Sequence, residues 1–579
     1  MDDYFVLGMT LGHTATAALS QDGHIVACAS EERFVRVKNV YGYPKKAVEY
    51  CLRQAGIEAH DLDLVVLSSH ITPPLLQTPD GLREESRTTH RETSWFSVLS
   101  KVRGATNRIK TLDTLSYRTV APLFAKMTHK KRVEIISALL GVEKHKIVSS
   151  EHHLTHAYSA VFASDLFADC PDDELLVITV DGEGDMLSSS IGIFRRSDYN
   201  YRRIASSSYA ESLGHFYSAV TEYLGMKVLE HEYKVMGLAP YSWSEKAESL
   251  YRALLTYVWI DDHLRVRTKV HSHRFGELFE TLFRGVRFDY IAAAAQKVVE
   301  TLLVDLVKKA TAKTNLHSVV LAGGVFMNVK ANSTLLNLPE VERLFVMPSC
   351  GDESLPIGSC YYGTLLHRKE ALATLQPLTN LYLGPSYSDE YIEHALKEST
   401  FQYKHVGNMI SVETARLLSK GHVVARFDGR MEFGARALGN RSILADASHG
   451  EVVEVINKMI KMRDFWMPFA PSIMEEHADK YIHHPELLQK IKPSFMMVTF
   501  ESTPLARQDL KAAMHPYDKT IRPQLVNKVV NPRYYDVLHA FAKRTGRYGV
   551  LNTSFNIHGE PIVCSPEDAL HTLRESGQQ

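Results

Sequence analysis

A strand-and-turn device that occurs twice constrains this chain more than any other feature. Residues Tyr4 to Leu7 are apolar and β-prone, and they run into the small, polar stretch Gly8 to Leu19. Asp22-Gly23 then gives a tight-turn signal ahead of a strand from His24 to Ala29, because Asp-Gly readily takes the positive φ angles of a two-residue hairpin. Further along, Glu174 to Val180 is an apolar run that ends in Asp181-Gly182-Glu183-Gly184-Asp185, and Ser188 to Phe194 reads as its return strand. A third strand and turn follow at Ser318 to Leu321 and Ala322-Gly323-Gly324-Val325. Apolar residues at helical spacing mark about Tyr290 to Thr311 as a helix between them. Two hairpin starts with helices between them predict a duplicated α/β architecture with a cleft between its lobes. Tips of this kind can approach a phosphate.

A chain of 579 residues exceeds one ordinary domain. The stretch Leu375 to Ser388, with Pro377, Gly384 and Pro385, has linker composition. A new α/β pattern begins beyond it with a helix from Glu413 to Lys420 and a strand from Val423 to Phe427. We therefore expect domains at 1–376 and 377–579. Between Gly81 and Arg132, twelve Lys/Arg face four acids. With a net charge of -1 over the whole chain, this basic insertion reads as a solvated helical excursion rather than a nucleic-acid surface. Six cysteines without a CxxC pair read as reduced thiols. The acidic start Met1-Asp2-Asp3 lacks the pattern of a signal peptide. No stretch nears the roughly 18 to 20 apolar residues of a membrane span. The expectation is a cytoplasmic protein that binds neither membrane nor nucleic acid.

Three constellations carry chemistry. In Glu151-His152-His153-Leu154-Thr155-His156, a helix would set His152 and His156 at i and i+4 on one face, able to share a metal. His153 stands where a metallopeptidase helix needs its general-base Glu, which argues against a peptidase. Asp181 and Asp352, at the ends of strands, could complete a mixed N/O shell suited to Fe(II), Mn(II) or Zn(II). A glycine set follows, in Lys234-Val-Met-Gly237 and in Gly323-Gly324 through Asn328. Its backbone N–H groups can approach phosphate or adenine. In the C-terminal half, Arg436, Lys461, Arg463 and Arg522 stand with Ser554 and Asn556 among small turn residues. That many cations suits a polyanion such as ATP or carbamoyl phosphate, with arginine forks gripping phosphate oxygens.

The run Glu31-Glu32-Arg33-Phe34, the His152/His156 pair, Asp181-Gly182, Gly323-Gly324, Arg436-Ala-Leu-Gly and Leu551-Asn-Thr-Ser-Phe-Asn556 occur in one order along the chain. In that order they resemble the NodU/CmcH carbamoyltransferase family, which carbamoylates nodulation factors, cephems and aminoglycosides of the tobramycin type. The resemblance implies an N-terminal module similar to the threonylcarbamoyl transferases of the actin/Hsp70/sugar-kinase superfold. It also implies a C-terminal module similar to the YrdC fold, whose Lys-x-Arg and Ser-x-Asn pairs are matched by Lys461/Arg463 and Ser554/Asn556.

The reaction implied is an ATP-dependent O-carbamoyl transfer. Carbamoyl phosphate and ATP, with Mg accompanying the nucleotide, would give carbamoyl-AMP and pyrophosphate in the C-terminal domain. The carbamoyl group would then pass to a hydroxyl of a small molecule in the N-terminal domain. By resemblance, Arg436, Lys461, Arg522 and Ser554 hold the phosphates, and Lys234, Gly237, Gly323, Gly324 and Asn328 cradle the adenylate. His152, His156, Asp181 and Asp352 hold the metal, which is iron in the family pattern. His13, on the first hairpin tip, is the candidate base for the acceptor hydroxyl, and Lys38 is a candidate to neutralise phosphate. Two other readings are a tRNA threonylcarbamoylation factor with fused modules and a non-enzymatic nucleotide-binding scaffold. The chain departs from the family pattern in two places. Met467-Pro468-Phe469 stands where the family often has Arg-Pro-Phe, and the chain stops at Gln579, where members usually continue with another strand.

Overall fold

In the computed structural model, which describes residues 3–71, 129–170, 172–458, 464 and 466–577, the chain begins with a three-strand meander. β1 (Phe5–Thr10), β2 (Thr16–Gln21) and β3 (His24–Ser30) pair antiparallel in sequence. Asp22 and Gly23, both at positive φ, make the tight turn between the last two. β4 (Leu64–Leu67) and β5 (Ile147–Ser149) add in parallel on the other side of β1, giving the order β3-β2-β1-β4-β5. β1 and β4 are central and covered on both faces, which is why they read as unbroken apolar runs.

The pattern then repeats. β6 (Glu174–Gly184), β7 (Leu187–Arg195) and β8 (Asn200–Ser208) form a second meander. After a small separate hairpin, β9 (Val258–Ile260) with β10 (Val266–Thr268), the strands β11 (Ser318–Ala322) and β12 (Arg343–Val346) add in parallel beside β6. The order β12-β11-β6-β7-β8 is the first sheet's topology again. The duplicated α/β architecture expected from the two hairpin starts is therefore present. The helix Leu355–His367 packs between β1 and the helix His152–Ala163. Close approach there depends on glycine, since a Cβ on Gly358 would lie 2.0 Å from Thr155 O.

The C-terminal sheet contains β13 (Val424–Phe427), β14 (Arg441–Ala445), β15 (Ala470–Met474), β16 (Gln524–Val526) and β17 (Gly549–Ser554), in the order β13-β14-β17-β15-β16. Leu418, from helix Ile410–Ser419, and Tyr534, Val537 and Phe541, from helix Pro532–Thr545, bury against Leu444 and Val550. A separate apolar cluster joins Ile443, Phe555, Val563 and Ala569.

The chain divides into two compact units. The first is Met1–Glu31 with Asn39–Leu378, and the second is Glu32–Lys38 with Thr379–Gln579. The short N-terminal segment is anchored in the second unit by two arginines. Buried Arg33 donates to Gly434 O at 2.6 Å. Arg36 donates to Ile562 O at 2.7 Å and Pro561 O at 2.8 Å, beside the carboxylates of Glu560 and Asp568. Nothing in the local sequence around Glu32–Lys38 announces this excursion. Most of the basic insertion, and both Lys461 and Arg463, lie outside the described residues; of 81–132 only 129–132 are described, at the start of a helix over 129–140. Among the described residues no helix is long and apolar enough to cross a membrane.

Candidate metal centre

The helix His152–Ala163 begins where Glu151 caps it, accepting from His153 N at 3.1 Å and Leu154 N at 2.8 Å. The helix is packed on nearly all sides, so both candidate ligands on it are buried. Asp181 sits where β6 loses register with β7 at its end, and Asp352 opens the turn after β12.

These four side chains converge, with one ligand atom from each lying within 4.8 Å of the others. His156 Nε2 is 3.0 Å from Asp181 Oδ2 and 3.6 Å from Asp352 Oδ1. His152 Nε2 is 3.6 Å from both Asp181 Oδ2 and Asp352 Oδ1. Ligands bound tetrahedrally at about 2.1 Å stand roughly 3.4 Å apart, so these separations are of the size that a shared ion requires. At 3.6 Å from both carboxylates, His152 Nε2 is buried and has no hydrogen-bond partner among the described residues, which leaves it available to a cation.

The electrostatics agree. Burial alone would lower the His152 imidazole, but the charges of Asp352 and Asp181 outweigh it and raise its pKa to about 10. His156 is likewise raised against burial by the same carboxylates. Burial pushes Asp181 up, and the two imidazoles more than reverse this, holding it well below the usual carboxylate range. Asp352 is lowered in the same way. Two partly buried carboxylates thus need two positive charges. One divalent cation in place of two imidazolium protons satisfies them and frees both imidazoles as neutral ligands. The donor set fits iron(II), manganese(II) or zinc(II).

A supporting shell fixes the ligands. The carboxylate of Asp185 accepts from Ser69 Oγ at 2.7 Å, Ile71 N at 2.7 Å, His70 N at 2.9 Å and His152 N at 2.8 Å. Arg132 holds the same loop through Ser69 O at 2.8 Å and His70 O at 2.6 Å. His153 is buried against Thr179 Oγ1 at 2.8 Å, and burial next to His152 lowers it to about 4, so it stays neutral. Sequence reasoning missed Asp185 as a positioning residue. Its only local sign was an acid closing the Asp181–Asp185 turn.

The other expected residues are placed as follows. His13 is half-exposed, with Nδ1 3.8 Å from Asp352 Oδ2. Gly323, at φ 96°, lets the Gly-Gly turn touch β6, where a Cβ would lie 2.3 Å from Val180 O. A Cβ on Gly324 would lie 3.1 Å from Asp181 Oδ1. Asn328 caps the helix Val329–Leu336 and exchanges two hydrogen bonds with Gln296. Lys234 and Gly237 lie on the helix Glu232–Leu238, with Gly237 buried. Lys38 falls in the second unit.

In that second unit a buried amide network gathers the expected anion-binding segments. Asn552 donates to Ala437 O at 3.1 Å and to Gln524 Oε1 at 3.1 Å, and Gln524 donates to Leu438 O at 2.7 Å. It ties the loop of Arg436 and the strand that follows Arg522 to β17, whose last residue, Ser554, donates to Asn556 Oδ1 at 2.7 Å. Met467, which stands where the family pattern often has Arg, is buried, as is Phe469.

Two family models match the chain: "Carbamoyltransferase N-terminus" over residues 6–361 and "Carbamoyltransferase C-terminus" over residues 415–579. An uncharacterized protein of Synechocystis sp. is 31% identical, over 96% of this chain and 92% of its own. Nodulation protein NolNO of Sinorhizobium fredii is 29% identical, over 97% of this chain and 77% of its own. Among solved structures, full-length HypF in its phosphate- and nucleotide-bound form aligns with a TM-score of 0.35 and 13% identity, over 63% of this chain and 56% of its own.

Proposed function

The chain belongs to the carbamoyltransferase family and is an enzyme of that class, and from that premise we propose an ATP-dependent O-carbamoyl transfer in two steps. The observation that carries this reading is the convergence of His152, His156, Asp181 and Asp352, with His13 beside Asp352.

The first step belongs to the second unit. Carbamoyl phosphate carries its carbamoyl group on its own phosphate, so that bond must break before an adenylate can form. Water releases inorganic phosphate and leaves carbamate. A carbamate oxygen then attacks the α-phosphorus of ATP, and pyrophosphate departs, leaving carbamoyl-AMP. Arg436 and Arg522, with Lys461 and Arg463, would neutralise the phosphate oxygens as charge shifts between them. Ser554 and Asn556 would offer hydrogen bonds at the end of β17.

The second step belongs to the first unit. His13 would take the proton of an acceptor hydroxyl. The freed oxygen attacks the carbamoyl carbon, and AMP leaves with its phosphate oxygen bearing the charge. The Asp352 carboxylate stands beside His13, with Oδ2 3.8 Å from His13 Nδ1. A divalent cation held by His152, His156, Asp181 and Asp352, iron(II) by resemblance, supplies Lewis-acid polarisation of an oxygen when bound. Asp185 and Arg132 hold the Ser69–Ile71 loop beside it. The acceptor is a hydroxylated small molecule, and Mg accompanies ATP.

The test supplies carbamoyl phosphate and ATP and follows phosphate and pyrophosphate release. One of each per turnover, dependent on carbamoyl phosphate and lost in Lys461→Ala, supports the first step. Pyrophosphate release that ignores carbamoyl phosphate refutes it. A panel of hydroxylated natural products, read for a mass gain of one carbamoyl group, identifies the acceptor.

A further inference from the structure

A second group of metal-type donors stands in the first unit, on the same strand end as the first. Glu183 lies two residues beyond Asp181, and it meets His215 and His273, with one ligand atom from each lying within 4.8 Å of the others. None of these three belongs to the four-residue centre.

The fold brings them together through small residues and hydroxyls. Gly214 opens the helix Leu213–Tyr223 against the Asp181-Gly182 turn, where a Cβ would lie 2.7 Å from Gly182 N. Ser212 caps that helix by accepting from His215 N at 3.0 Å, and its hydroxyl reaches Gly182 O at 2.7 Å. His215 is thereby fixed beside the turn, 3.5 Å from where a Cβ on Gly182 would be. Ser212 N donates to Ser272 Oγ at 2.7 Å, and Ser272 N donates to Ala210 O at 3.0 Å, which pins the segment carrying His273. The His273 ring stacks on His271 with centroids 5.2 Å apart, and its centroid is 4.8 Å from that of His215.

We propose that Glu183, His215 and His273 form a second divalent-cation site. His273 Nε2 lies 3.6 Å from Glu183 Oε2, longer than a charge-assisted hydrogen bond but close to the spacing of two ligands on one ion. Two imidazoles and one carboxylate are a donor set for a first-row divalent cation such as zinc(II), cobalt(II) or manganese(II). Three protein ligands leave coordination positions open, as at catalytic rather than structural sites. The His273 side chain is 33% exposed, so an oxygen ligand from water, a hydroxyl or a phosphate can reach the ion.

The test strips the full chain with a chelator, reloads it with cobalt(II) alone, and measures bound metal by elemental analysis and visible absorption. The proposal expects two ions per chain in the wild type. Half-exposed His273→Ala, and independently Glu183→Gln, should each lose one ion and keep the other, with unchanged circular dichroism. His152→Ala should lose the other ion and keep this one. Two ions retained in both His273→Ala and Glu183→Gln overturn the proposal, as does a single wild-type ion that only His152→Ala removes. Loss of both ions in both variants also overturns it, since the sites would not be separate. A single wild-type ion that His273→Ala removes and His152→Ala spares would uphold this site and count against the four-residue centre instead.

Discussion

Gly184 and His152 are in contact so close that a Cβ on the glycine would lie 2.0 Å from Cδ2 of the imidazole. The end of β6 therefore acts as a wall that sets where His152 points.

Gly184→Ala tests that wall. No positive φ is required at this position, so the added methyl acts through sterics alone. Overpacking of this kind costs about 1–3 kcal/mol. The displaced ring should weaken metal binding by about 10- to 100-fold, the usual scale for disturbing a ligand's support. Chelator-competition titration measures the affinity, and an unchanged value would show that the wall does not position the ligand.

Asp185→Asn tests the supporting shell. Each carboxylate oxygen of Asp185 accepts two donors, Ser69 Oγ with Ile71 N on one and His70 N with His152 N on the other. Turned one way, its NH₂ faces the two backbone donors His70 N and His152 N; turned the other, it faces Ile71 N and the Ser69 hydroxyl, of which only the hydroxyl can turn to accept. The expected cost is about 2–3 kcal/mol in urea unfolding, together with a lower metal affinity.

The pH dependence of stability should differ between metal-free and metal-loaded protein. In the free chain His152 titrates at about 10, above an unfolded histidine. Its contribution is complete below about pH 6.5 and is lost as pH rises through about 10. Asp181 is shifted down, so its contribution is complete above about pH 3.9 and is lost as pH falls. The free chain should therefore weaken between pH 7 and 10, while the loaded chain keeps its stability there. Metal uptake near pH 7 should also release protons. Urea midpoints at pH 6 and pH 9.5, with and without metal, check both statements.

Arg36→Ala tests the segment Glu32–Lys38. It removes donors to Ile562 O and Pro561 O and leaves Glu560 and Asp568 without that cation. We expect a loss of about 2 kcal/mol in the unfolding of the second unit, with the metal content of the chain unchanged.

Much of the fold was legible because its signals are periodic or local. The strand runs before Asp22 and Asp181 and the helix Phe288–Thr314 carry their period in the sequence, and the duplicated sheet follows from them. The four candidate metal ligands were legible for the same reason: two histidines one helical turn apart, and two acids at strand ends. What escaped depends on distant segments. Asp185 matters through amides of a loop more than a hundred residues earlier in the chain. Glu183, His215 and His273 meet only because Gly214 and Ser212 dock one turn on another. The amide of Asn328 serves Gln296 and a helix cap, and only the folded chain brings Gln296 to it. The sequence marks Gly323 as a turn residue, but the reason it must be glycine, the approach to Val180 O, needs the second strand in place.

The central claim is that adenylate formation and carbamoyl transfer are separate chemistries, one in each unit. The most direct measurement follows both in His152→Ala, with carbamoyl phosphate, ATP and the acceptor found in the panel. The account predicts pyrophosphate release that still depends on carbamoyl phosphate at near the wild-type rate, with carbamoyl incorporation into the acceptor reduced to background. Equal loss of both in a variant that keeps its fold, or undiminished incorporation, would contradict it.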